Sequence, residues 1–86
     1  MNGVGLNTAP MTASTVVLRT ASATDRPVLD DLAGLDSAPK LSGAVLLAEL
    51  DGVPVAALER SSGRVVADPF VPTTGVRALL RTRAQH

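Results

Sequence analysis

The chain has no cysteine, tryptophan, tyrosine or isoleucine, and Phe70 is its only aromatic residue. The missing cysteines exclude a disulfide framework and any thiolate metal site. The shortage of large side chains means that the core must be assembled from Leu, Val and Ala. Net charge is absent too, because eight basic residues balance eight acidic ones. No long-range field therefore draws the chain to nucleic acid or to an anionic membrane. No apolar run approaches the ~18 residues that a membrane-spanning helix needs. The opening "MNGVGLNTAPMTAS" has neither a basic leader nor a continuous apolar stretch, so it does not read as a secretory signal. It reads as a flexible tail over residues 1–14, with Met11 as an alternative start, and the expected location is the cytoplasm.

What is present fits one small domain over residues 15–86. A chain of this size buries only about 60–65% of its unfolded surface. A partner or a second copy would supply the missing burial. Seven of the eight basic residues are Arg, and Ala is abundant, which suits a GC-rich bacterial genome.

"TVVLRTA", 15–21, is β-branched and apolar with one charge, and reads as a strand. Ser22 with Asp25 three residues on matches a capping box, and Pro27 suits a first helical turn. Val28, Leu29, Leu32 and Leu35 recur on one helical face, which predicts a helix over roughly 24–35, with Arg26, Asp30 and Asp31 off that face. Residues 36–43 read as a loop.

The clearest local signal is "AVLLAEL", then Asp51-Gly52, then "VPVAALE". Asp-Gly between apolar runs favours a two-residue type I′ hairpin, whose two central positions both need positive φ. Carried through both strands, that turn pairs Leu50 with Val53, Glu49 with Pro54, Ala48 with Val55, Leu47 with Ala56, Leu46 with Ala57 and Val45 with Leu58. Both faces are largely apolar, so both are expected to be covered. Pro54 has no N–H to donate, so the next strand must stop short of it or leave a gap.

"RSSG", 60–63, is a second turn and "RVVADPF", 64–70, a third meander strand ended by Pro69. Thr73 or Thr74 caps a last helix with Val76, Leu79 and Leu80 on its apolar face. Arg81 and Arg83 suit the negative end of that helix. The expected fold is α/β (α+β) in the order β-α-β-β-β-α: a small, largely antiparallel sheet with two helices.

Three segments in this order resemble the GCN5-related N-acetyltransferase (GNAT) family. "LRTASATDRPVLDDLAGLD" is similar to its first strand and helix, and "VLLAELDGVPVAAL" to its strands 2 and 3 with their tight turn. "VVADPFVPTTGVRALL" stands where the family has strand 4, the acetyl-CoA loop and the following helix. The resemblance covers about 70 residues and only the N-terminal half of that fold. It implies that Thr73, Thr74, Gly75, Val76 and Arg77 occupy the position that holds the pyrophosphate of acetyl-CoA. There, loop N–H groups and a helix N-terminus suit an anion. The family pattern begins with Arg or Gln, then two residues, Gly, one residue, and Gly or Ala. Here Pro72 stands first, only Gly75 matches, and Arg77 replaces the small residue. The Tyr that often serves the family as general acid is missing from the chain.

No residue stands out as catalytic. His86 is the only histidine and ends the sequence, where a proton acceptor is not held in place. Glu49 and Glu59 lie on strands where the family places a base, but the expected register sends them to opposite faces. Asp25 reads as a helix cap, and Asp30, Asp31 and Asp36 lack calcium-loop spacing. Ser61, Ser62 and Ser42 read as turn residues. Arg77, Arg81 and Arg83 form a stripe expected to be solvated or to pair with the acidic first helix. The leading expectation is a non-catalytic GNAT-like module that forms a homo-oligomer, such as a dimer, or binds a protein partner through an open sheet edge, with no cofactor. The alternatives are a residual acyl-CoA-binding protein or N-acetyltransferase, alone or completed by another chain, and a translated gene fragment.

Overall fold

The computed structural model describes residues 15–85. The tail expected over 1–14, and His86, lie outside the described residues. Strand β1 (Val16–Thr20) leads through a single 3-10 turn (Ala23–Asp25) into helix α1 (Arg26–Leu35). Strands β2 (Val45–Leu50), β3 (Val53–Glu59) and β4 (Val65–Ala67) form a meander, and helix α2 (Thr74–Ala84) closes the described chain. The sheet is antiparallel in the order β1-β2-β3-β4. Fold class and element order are those expected from the sequence.

The two helices cover opposite faces of the sheet. Leu29, Leu32 and Ala33 of α1 pack with Val45, Leu47, Ala57 and Val66. Val76 and Leu80 of α2 pack with Leu46, Ala48, Leu58 and Ala67. Alternate β2 residues serve the two cores, so a strand that is apolar throughout is what this arrangement requires. Leu35 and Leu79, expected on the buried helix faces, are about half exposed. Ala33 takes the place of Leu35, because its small side chain lets α1 approach the sheet.

The Asp51-Gly52 turn is formed as expected, with φ of 53° and 84°. Leu50 pairs with Val53 and Glu49 with Pro54, but the register then shifts by one. Ala48 faces Ala56, Leu47 faces Ala57, Leu46 faces Leu58 and Val45 faces Glu59. The expected pairing beyond Glu49 is therefore corrected. Val55 is left without a partner of its own on β2, which is a β-bulge directly after Pro54, and bulges are among the few strand positions near which proline is suited. Val55 and Ala56, although consecutive, both join the α2-side core. The extra residue also brings Glu59 onto the α1 side, the side of Glu49, rather than the opposite one. β4 stops short of Pro54: Asp68 donates its N–H to Val55 O (2.9 Å), and no β4 residue pairs further along. β4 is also shorter than the 64–70 segment read as strand.

The sheet's two edges are treated differently. The outer side of β4 is capped at Ala67 by the 36–41 loop. Asp36 accepts the Ala67 N–H (3.1 Å), and Arg64 donates to the carbonyls of Pro39 (2.8 Å) and Lys40 (3.0 Å). On β1, the bonds Ala21 N–H to Val45 O and Asp51 N–H to Thr15 O, both 2.8 Å, fix which backbone groups face β2. The alternation of an antiparallel ladder then turns the N–H and C=O groups of Val16, Leu18 and Thr20 outward. No described strand pairs with them. The expectation of open edges is therefore narrowed at β4, where the Ala67 N–H is capped, and kept for β1.

Candidate functional site

The segment 68–77 turns the chain from β4 into α2. Asp68 shapes the turn: its carboxylate accepts the Phe70 N–H (2.8 Å), and its carbonyl accepts the Val71 N–H (3.3 Å). Phe70, the one aromatic, is left outside, 83% exposed. Thr73 is the residue before the helix and is buried. Its hydroxyl makes no capping bond to the first turn; it accepts the Arg77 Nε–H at 3.3 Å, while its carbonyl accepts the Arg77 N–H at 2.8 Å.

The five residues singled out from the sequence thus share one helix N-terminus but do not all face outward. Val76 is buried in the α2-side core. Arg77 is half-buried and folded back on Thr73. Thr74 and Gly75 are exposed. Gly75 lies inside the helix, without the positive φ seen at Gly43, Gly52 and Gly63. A Cβ at position 75 would meet nothing within 4 Å. The chemistry available here is the unpaired N–H groups of a first helical turn and one guanidinium, with no acidic side chain in that turn.

Two polar clusters lie on the α1 side. Arg19 clamps Asp25 through both guanidinium nitrogens (2.8 and 2.9 Å) and reaches Glu49 at 3.2 Å. The Ser22 N–H also donates to Asp25 (2.7 Å), which is the aspartate's half of the expected capping box. The Arg19 hydrogen bond, then the Ser22 N–H, hold the Asp25 carboxyl well below the usual carboxylate range, and Arg19 is held above its ordinary value. Around Glu59, the Ser62 hydroxyl and the Ser42 N–H (2.7 Å) donate to the carboxylate, and Arg64 lies at 3.6 Å. The Ser62 bond, then the Ser42 N–H, lower the Glu59 carboxyl. A buried carboxylate already saturated with donors is a poor proton acceptor at neutral pH, so Glu59 serves as a structural tie between the 42 and 62 turns. Glu49, on the same sheet face, is engaged by Arg19 rather than converging on Glu59.

Arg77, Arg81 and Arg83 do not pair with α1, because the two helices lie on opposite faces of the sheet. Arg77 binds Thr73, and Arg81 reaches only Gly63 O at 3.5 Å. Sequence reading missed one grouping. Arg60, in the β3–β4 turn, and Arg81, in the last turns of α2, border a hollow of about 270 Å³ with Leu58, Gly63, Ala84 and Gln85. That hollow lies at the far end of α2 from Thr74, along a helix of about 16 Å. No local motif joins residues so far apart in the chain. Among the described residues, no three His, Asp or Glu side chains gather where a metal ion would be held.

No family model, curated protein or solved structure matches this chain.

Proposed function

We propose that the chain is a non-catalytic GNAT-like module that associates with a second copy of itself through the outer edge of β1. The observation that carries this reading is the contrast between the sheet edges. β4 has Asp36 on its outward N–H at Ala67 and a loop held down by Arg64. β1 offers Val16, Leu18 and Thr20 with outward N–H and C=O groups and an apolar Val17 that is 44% exposed. An edge with unpaired backbone groups and few charges is a template for another strand. Antiparallel pairing of two β1 strands about Leu18 sets Val17 opposite Arg19 of the other copy. That avoids a like-charge pair and lets two four-stranded sheets run on as one.

A catalytic reading has less support. Val76 and Thr73 are occupied with packing and with Arg77, and no carboxylate is poised as a base. Sedimentation at micromolar concentration tests the proposal. The chain is expected to run as a dimer, and Thr20→Pro as a monomer with unchanged far-UV circular dichroism. Thr20 is exposed and its N–H faces outward, so proline there removes an edge donor without breaking the β1–β2 ladder. A monomeric wild type at that concentration sinks the reading.

A further inference from the structure

The hollow at the C-terminal end of α2 has a composition that the fold does not require. Its floor is apolar: Leu58 is fully buried, and Ala84 packs on the same core. Its rim carries Arg60, Arg81 and Gln85. The ion pairs among the described residues use Arg19, Arg26, Lys40 and Arg64, and no described carboxylate lies within 4.0 Å of Arg60 or Arg81. Arg81 spends one long contact, 3.5 Å, on the Gly63 carbonyl and keeps its other N–H donors.

The helix dipole accounts for Arg81 and Arg83, since cations suit the last turn of a helix. It does not account for Arg60, which sits on a different element and lines the same hollow. The partial charge at a helix C-terminus is about −0.5, against two full positive charges, so the net field in the hollow favours an anion. Glu59, next in sequence to Arg60, is on the other face of the sheet and bonded to Ser42 and Ser62.

We infer that this hollow binds a small organic carboxylate, with its charged end between Arg60 and Arg81 and a short apolar stem against Leu58 and Ala84. Paired guanidinium groups match a carboxylate through charge-assisted, bidentate hydrogen bonds. The volume lies just under the ~300–1,000 Å³ of pockets that take drug-sized ligands, so the stem is short. This site is separate from the β1 edge and from the 73–77 segment, and it stands or falls without them.

Hexanoate is the probe, titrated into the full 86-residue chain and followed by amide chemical shifts. The expected result is a saturable shift at Gly63 and Gln85, absent with the neutral hexanamide. Affinity should fall at least about tenfold in Arg60→Gln and in Arg81→Gln, the scale of one lost hydrogen bond to a charged group. Arg60 is exposed on a turn, so Arg60→Gln keeps the fold and decides the matter should Arg81→Gln disturb α2. Thr20→Pro should bind hexanoate as the wild type does. Shifts that do not saturate, equal shifts with hexanamide, or unchanged affinity in Arg60→Gln overturn the assignment.

Discussion

The α1 side of the sheet and the α2 side bury similar amounts of Leu, Val and Ala, yet they are fastened in different ways. α1 is tied at its margins by polar bonds: Arg19 to Asp25, Arg26 to the Leu41 carbonyl at 2.6 Å, and Asp36 to the β4 edge. α2 rests on Val76, Leu80 and neighbouring apolar groups, and beyond the adjoining Thr73 its only described polar link to the rest of the chain is the long Arg81–Gly63 contact. The difference separates two jobs. Most charges on the α1 side are engaged in ion pairs or in bonds that hold loops to the sheet. On the α2 side Arg60 and Arg81 have no carboxylate partner among the described residues, and these are the charges that the proposed carboxylate site would use.

If apolar burial sets the attachment of both helices, truncating either anchor should cost the same. Leu29→Ala and Leu80→Ala are each expected to destabilise the domain by about 2–5 kcal/mol, since both side chains are fully buried. That is a large part of the ~5–15 kcal/mol that a whole domain has in hand. Leu35→Ala and Leu79→Ala, half exposed, should each cost under about 1 kcal/mol. Urea denaturation measures all four. A mild Leu80→Ala beside a severe Leu29→Ala would show that α2 is only loosely seated.

Acid should act on one side alone. Asp25 and Glu59 both have lowered carboxyls, and both belong to the α1 side. A carboxyl whose folded pKa is depressed contributes stability that is fully present above its unfolded value, near 4, and is lost as pH falls through the folded value. The urea midpoint should therefore drop from pH 5 downward. Asp25→Asn should be less stable than wild type at pH 7, and the gap should close progressively in acid. A gap of constant size down to pH 2.5 would mean that the Arg19–Asp25 clamp contributes nothing through charge.

Much of this architecture was legible because its determinants are local. Asp51-Gly52 specifies a turn by backbone conformation, Ser22 and Asp25 mark a helix start, and short apolar runs rich in Val and Leu mark strands. The bulge at Val55 was not legible. Pro54 announced a missing N–H but not that the strand would absorb one extra residue, and one residue reverses which face every later side chain meets. That is why Glu49 and Glu59 were assigned to opposite faces and share one. The Asp36 cap on Ala67, the Arg64 clamp on the 39–40 carbonyls and the Arg60–Arg81 hollow join residues 21 to 31 positions apart, and no sequence period encodes such links. The 73–77 position was legible as a helix start. Its occupation by the chain's own packing was not, because burial of Thr73 and Val76 depends on where α2 meets the sheet.

The smallest effects come from two glycines that look alike in sequence. Gly52 has φ of 84°, where any Cβ is strained, whereas Gly75 is helical and open around its Cα. Gly52→Val should cost about 1 kcal/mol or more. Gly75→Ala should instead stabilise the domain by about 0.5 kcal/mol, because alanine loses less backbone entropy than glycine on entering a helix. The same substitution probes the resemblance to an acetyl-CoA loop. If Gly75 serves only the helix, acetyl-CoA binds no tighter than about millimolar, or ~4 kcal/mol, to wild type and variant alike. Pro72 brings no N–H to an anion there, and Arg77 is turned back to Thr73. If Gly75 instead gives a pyrophosphate close access to the backbone, calorimetry will find micromolar acetyl-CoA binding that Gly75→Ala weakens. The variant's gain in stability would then accompany a loss of function, and the α2 side would hold a cofactor site at its N-terminal end rather than a packed strand-to-helix connection.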